Sequence, residues 1–271
     1  MHQRTRALAA AGACAAFLLA IVLAYYFFVP EVLRTDLSLR NQPPGFSHLF
    51  GTDWMGRNML LRTIAGLRLS LQTGLTAAAA SALLALFLGL AAGILGGWVD
   101  GVVSWLIDIF ISLPHLVLLI LVSFAFGGGL KGVTVAIAVS HWPRLARIIR
   151  AETMQLKDSP FIHHARCFGR TPWQIGWQHI LPHLAPQFIV GLLLLFPHAI
   201  LHEAGLTFVG LGLSPHEPAV GIILAEAMRH LSTGNWWLAV LPGAALLAMV
   251  KTFDLMGENV RILLQPRISQ E

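Results

Sequence analysis

The feature that most constrains this chain is the run from Ala7 to Val29, about 23 residues long and without a single charge. Such a run crosses the hydrocarbon core of a bilayer as a helix, because lipid offers no hydrogen-bond partner to an exposed backbone and helices satisfy theirs internally. Further long apolar stretches follow, so the chain is read as an all-α polytopic membrane protein with one packed domain, residues 1–271. Spans are expected at about 7–29, 73–96, 102–126, 133–149, 185–206 and 236–255. That makes six transmembrane helices, embedded in membrane lipid.

Composition removes other classes. Apolar residues make up 56% and charged residues only 11%, which excludes a soluble enzyme. The net charge of +5 comes without any basic block of five or six residues, so nucleic acid is not an expected partner. Cys14 and Cys167 lie in different segments without metal-ligand neighbours, which excludes a disulfide framework. Positive charge acts instead as a topology signal. With the N- and C-termini in the cytoplasm, ten Lys and Arg fall on the inner side against seven on the outer.

Between spans four and five lies a polar stretch, about 150–184, with ordered punctuation. Asp158, Ser159 and Pro160 start a short helix that Gly169 stops, and Thr171 and Pro172 start another that Leu181-Pro182 ends. An exposed helical hairpin bearing Phe161, Phe168, Trp173 and Trp177 is the expectation, and apolar side chains on a wet face suggest docking. Residues 30–72 form the longest polar segment, with an amphipathic run reaching Arg68. Within it stands Gly51-Thr52-Asp53-Trp54-Met55-Gly56-Arg57-Asn58, read as a surface loop held by pairing of Asp53 with Arg57.

Ionisable residues inside spans are functional candidates because burying them is costly. Asp108 and His115 are seven residues apart and are expected on one face of span three. Ser140-His141-Trp142-Pro143 is expected to interrupt span four, with Arg144, Arg147 and Arg150 on one stripe beyond it. In span five, His198 and His202 stand at i and i+4 on one face after Pro197, with Glu203 beside them. Imidazole suits nickel, zinc and copper, and the acidic neighbour would ease passage of a divalent cation. Only neutral imidazole is a ligand, so metal transport should weaken as pH falls through the histidine range. Outside the spans, His216, Glu217, Glu226 and His230 could gather cations, but spacing this loose favours a solvated face.

Several of these patterns resemble one family. The spacing His163-His164-Ala165-x3-Gly169-x10-Ile180-Leu181-Pro182 is similar to the EAA signature of ABC importer permeases, with Arg166 also matching and His163-His164 standing where Glu-Ala is usual. Gly51, Thr52, Asp53, Gly56 and Arg57 resemble the outer-loop motif of the peptide/nickel branch, with Asn58 in place of its last Asp. Asp100-x7-Asp108-x5-Pro114 and Gly257-Glu258-x2-Arg261 resemble two further motifs of that branch. His198 and His202, followed by Ala204-Gly205, Phe208 and Gly210-Leu211-Gly212, look like the nickel permeases.

The resemblance implies a type I ABC importer permease subunit of the bacterial inner membrane. Its partners would be a second homologous permease, two ATPase subunits that hold the ATP, and an extracytoplasmic substrate-binding protein. The chain has no Gly-x4-Gly-Lys-Ser/Thr loop, and neither catalysis nor a bound cofactor is expected of it. The preferred cargo is nickel or a nickel chelate, with His198, His202, Glu203, Asp108 and His115 along its pathway. A dipeptide or oligopeptide permease, whose histidines line a wet path without metal, is the alternative. An intramembrane metalloprotease would need Glu directly after the first histidine, where Ala199 stands. A lone channel or scaffold is the reading that His163-His164 leaves open.

Overall fold

The computed structural model describes residues 2–32, 34–214 and 217–264; Pro215, His216 and Arg267 lie outside them. The described residues are built from helices: α1 (His2–Val32), α2 (Met59–Leu95), α3 (Gly97–Ser112), α4 (His115–Ala125), α5 (Gly129–Lys157), α6 (Pro160–Cys167), α7 (Pro172–Ile175), α8 (Leu181–Phe208), α9 (Val220–Met228) and α10 (Trp237–Leu264). Four segments, Gln3–Phe28, Met59–Leu95, Pro172–Phe208 and Trp237–Leu264, are long and apolar enough to cross a membrane, and α3 with α4 forms a fifth, bent one. Helix α5 occupies the expected fourth span. Its 29 residues reach far enough, at about 43 Å, but its arginines and Ser140-His141 dilute its apolar content.

The centre of the bundle is α2, packed on α5 and α8. One face of α2 is a seam of small residues in which Ala77, Ala78, Ala82 and Ala85 are at most 1% exposed. Such a seam lets backbones approach closely in lipid, where dispersion rather than hydrophobic exclusion drives association. Gly74 shows how close: a Cβ there would stand 2.7 Å from the Ile200 side chain of α8. Gly89 repeats this against α5, where the added carbon would lie 2.8 Å from the Ala146 carbonyl.

Five expectations are corrected. The polar segment 30–72 does not persist as loop, because Asn58 caps α2 by accepting from the Leu60 and Leu61 amides and the helix runs unbroken for 37 residues. At about 55 Å, α2 exceeds a hydrocarbon core of about 30 Å, so it carries chain well beyond the bilayer. Arg62 and Arg68 therefore belong to a helix rather than an outer loop. Span three is not one helix: it breaks at Leu113-Pro114 with a bend of 103°, since the residue before a proline is pushed out of the helical region. Span four is not interrupted, as Pro143 sits inside α5, and helices in lipid tolerate proline where neighbours re-satisfy the backbone.

The fourth correction concerns Leu181-Pro182, which ends nothing. Helix α7 leads through a π-turn at Gly176–Ile180 into α8, and the widened turn shifts the carbonyl that the Pro182 ring would strike. The second arm of the expected hairpin is thus the first stretch of span five. The fifth is that Asp108 and His115 do not share a face, because the 103° bend falls between them.

Candidate functional site

Three places gather the singled-out residues, and their polar groups are disposed of differently. At the N-terminal end of α2, Thr52 and Asp53 are at most 1% exposed. Asp53 Oδ1 accepts from the amides of Met55 and Arg57, each at 2.9 Å. Its Oδ2 accepts from Arg57 Nε and Arg62 Nη1, each at 2.7 Å. Arg62 Nη2 then donates to Glu226 of α9 at 3.0 Å. Gly56 is required by its backbone, at φ 72°, and by space, since a Cβ would lie 1.7 Å from the Asp36 carbonyl oxygen. The expected Asp53–Arg57 pair is present, and it belongs to a network that ties loop, α2 and α9 together. Spacing alone missed Arg62 and Glu226, which lie 164 residues apart.

At the other end of α2, Lys157 Nζ donates to the carbonyl oxygens of Gly93 and Ile94, at 3.3 and 2.9 Å, closing the helix terminus. Arg150 donates to both carboxylate oxygens of Asp100, at 2.7 Å for Nη2 to Oδ2. Against this anchored end sits the elbow. Ile162, Ala165, Ile175 and Ile180 face inward and are buried. His163, His164, Arg166 and Gly169 are exposed, Leu181 is half-buried and Pro182 exposed. Outward stand Phe168 at 85% exposure, Trp173 at 62% and Trp177 at 52%. Thr171 and Gln174 form a capping box that starts α7, and Gly169 takes φ 76° at the corner.

The third place is a cavity of about 340 Å³ at the α3–α4 bend, lined in part by His115, His141, Arg144, His198 and His202. The break at Pro114 makes His115 the first residue of α4 and turns it toward α5 and α8. Its ring centroid lies 4.7 Å from that of His141 and 4.6 Å from that of His202. The His141 and His202 rings are 5.1 Å apart. One nitrogen from each of these three histidines lies within 4.8 Å of the others. His198 lines the same cavity without joining that group.

Two further residues are not where the sequence put them. Glu203 is fully buried and turned toward α2, accepting from Ser70 Oγ at 2.6 Å and Thr207 Oγ1 at 3.0 Å. It does not line the cavity, because the next residue along a helix points about 100° away from His202. Asp108 is exposed and pairs with Arg147 Nη2 at 2.9 Å, outside the cavity lining. His141 is the residue that sequence reasoning passed over as part of a helix break. Its signal was present: a lone imidazole inside a span, one turn before an arginine.

Residues 85–270 match the family described as binding-protein-dependent transport system inner membrane component. A protein of Brucella abortus assigned as a peptide transport system permease is 36% identical over 93% of this chain and 85% of its own length. The dipeptide transport system permease protein DppC of Bacillus subtilis is 31% identical, over 93% of this chain and 79% of its own. The glutathione transport system permease protein GsiD of Pectobacterium atrosepticum is also 31% identical, over 96% and 86% respectively. Among solved structures, a chain of the MetNI methionine ABC transporter in an inward-facing conformation superposes with a TM-score of 0.59. It covers 76% of this chain and 98% of that one at 19% identity, a likeness of fold.

Proposed function

Because the chain belongs to the binding-protein-dependent transport system inner membrane component family, as a permease subunit of an ABC importer, we propose that it passes small peptides across the bacterial inner membrane. Permeases of this family work with ATPase subunits and a binding protein, and the chain is not itself an enzyme. The composition proposed for this complex is this chain, a second homologous permease, two ATPase subunits and one extracytoplasmic binding protein, with both termini of this chain cytoplasmic.

The observation that carries the peptide cargo is the naming of relatives that match at 31% to 36% identity along nearly the whole chain as peptide, dipeptide and glutathione permeases. The cavity agrees in size with small-ligand pockets, and Arg144 offers a guanidinium to a peptide's terminal carboxylate. The elbow supplies the drive. Its aromatic side chains would seat in an ATPase cleft, and ATP-driven closure would push α7. Because α7 continues into α8, the push would travel directly into the helix that carries His198 and His202. The cavity would then open alternately to the two sides of the membrane.

Nickel or a nickel chelate is the second reading, and the observation favouring it is the set of histidines in the cavity. The deciding experiment is ATP hydrolysis by the complete complex in nanodiscs, with its binding protein loaded with a dipeptide or with Ni²⁺. Stimulation by the dipeptide alone supports the peptide reading. Stimulation by Ni²⁺ alone replaces it with the nickel reading, and stimulation by neither rejects both.

A further inference from the structure

The sequence points to His198 and His202 as a metal pair, but the folded chain gathers a different set. We propose that His115, His141 and His202 form a three-imidazole site for a borderline divalent transition-metal ion, with a carboxylate-bearing ligand completing the shell beside Arg144. Three independent elements deliver it: the first residue of α4 after the bend, the middle of α5 and the last third of α8. Their nitrogens already lie within 4.8 Å of one another. Tetrahedral zinc at about 2.0–2.1 Å from each nitrogen needs them about 3.3 Å apart, and an ion that binds all three at right angles needs them about 3 Å apart.

His141 supplies the strongest argument. Its Nδ1 lies 3.0 Å from the Ile137 carbonyl oxygen and 2.9 Å from Ser140 Oγ. A carbonyl only accepts, so Nδ1 carries the proton and donates it, and Nε2 is left with a lone pair. That Nε2 is buried and has no hydrogen-bond partner, on a side chain only 9% exposed. An imidazole tethered by one nitrogen to a backbone carbonyl, with the other free, is the arrangement by which proteins orient metal-binding histidines. Leaving a buried acceptor unpaired is destabilising. A metal ion would satisfy it.

The neighbours define the ion's ligand. Among the described residues no carboxylate lines the cavity: Asp108 is held by Arg147 outside it and Glu203 by Ser70 and Thr207 on the far side of α8. Arg144 does line it and brings positive charge. A bare dication beside a guanidinium is repelled, whereas a carboxylate bound to the metal is attracted to both. Three neutral nitrogens leave a fourth position open, as in metal sites that exchange ligands. The site thus fits a metal carried with a small amino-acid or peptide ligand.

This inference rests on the permease reading only for its place in a transport cycle, since binding is measured on the chain alone. The test uses the full chain, purified in detergent through a tag free of histidine, and titrated calorimetrically with Ni²⁺ alone and with Ni²⁺ plus diglycine. Retention of about one Ni²⁺ per chain is expected, tighter with diglycine present. His115→Ala and His202→Ala, both at half-buried positions that tolerate truncation, should each weaken binding by at least about tenfold. His198→Ala should weaken it less than either of these. His141→Gln keeps the volume, and loss of the visible absorption of bound Co²⁺ in that variant reports the ligand directly. Absence of saturable Ni²⁺ binding overturns the site, as does an affinity untouched by His115→Ala. Equal loss with His198→Ala would return the metal to the histidine pair.

Discussion

The two ends of α2 carry the two most recognisable motifs of the chain, and they treat their chemistry in opposite ways. At the N-terminal end, Asp53 is 1% exposed and each of its oxygens accepts two hydrogen bonds, so the motif is consumed in holding loop, α2 and α9 together. At the C-terminal end, residues 160–180 bury only what anchors them and leave Phe168, Trp173 and Trp177 in the open. A motif whose central carboxylate is fully engaged inside the fold is architecture. A motif that leaves large aromatic side chains outside the fold offers them to a partner in the reading proposed for the elbow.

This contrast can be broken by substitution. The largest effect is expected from Asp53→Ala, which leaves Arg62, 7% exposed at its side chain, without its closest counter-charge. Removing one partner from a buried ion pair costs about 3–5 kcal/mol. The variant should lower the unfolding temperature in detergent and the amount of chain recovered from membranes. Normal stability would mean that the network is dispensable and that the motif has another role.

Trp173→Ala should do the reverse. Fold and unfolding temperature stay as they are, because the side chain is 62% exposed, while affinity for the ATPase falls by about 2 kcal/mol, the loss typical of an interfacial hot spot. Co-purification of the ATPase with the variant reads this out; full retention would show that the elbow's aromatics are not addressed to that partner. The smallest effect is expected from Thr171→Ala. It removes one half of the capping box at the start of α7 and costs about 1 kcal/mol. Hydrogen exchange should then quicken at the Gln174 amide while the Asp53 network keeps its protection. Equal quickening at both ends would mean that the ends of α2 are not independent.

Much of the fold was legible. All-helical architecture follows from apolar runs that lipid permits only as helices or closed barrels. The same runs marked where apolar helices lie, while α2 starts earlier, the third span is bent and the fifth begins at α7. The Asp53–Arg57 pair and the apolar side chains of the elbow were local patterns, readable within one short stretch of chain. Punctuation by proline was read less well. Pro114 does break its span, whereas Pro143 and Pro182 sit inside continuing helix. A proline removes one donor and adds one clash, and whether that ends a helix depends on the neighbours able to absorb both.

The cavity was decided by tertiary structure. The sequence alone determined that this chain is a bundle of membrane helices with an exposed elbow, because periodicity and hydropathy act over tens of residues and need no partner. It named His115, His198 and His202 as candidates but paired them along their own helices. Only the folded chain brings His115, His141 and His202 together, from positions 26 and 61 residues apart, and turns Glu203 and Asp108 away. The reason is geometric: which side of one helix meets which side of another is set by side-chain packing across the bundle and by a 103° bend, and neither is written in the spacing of any single segment.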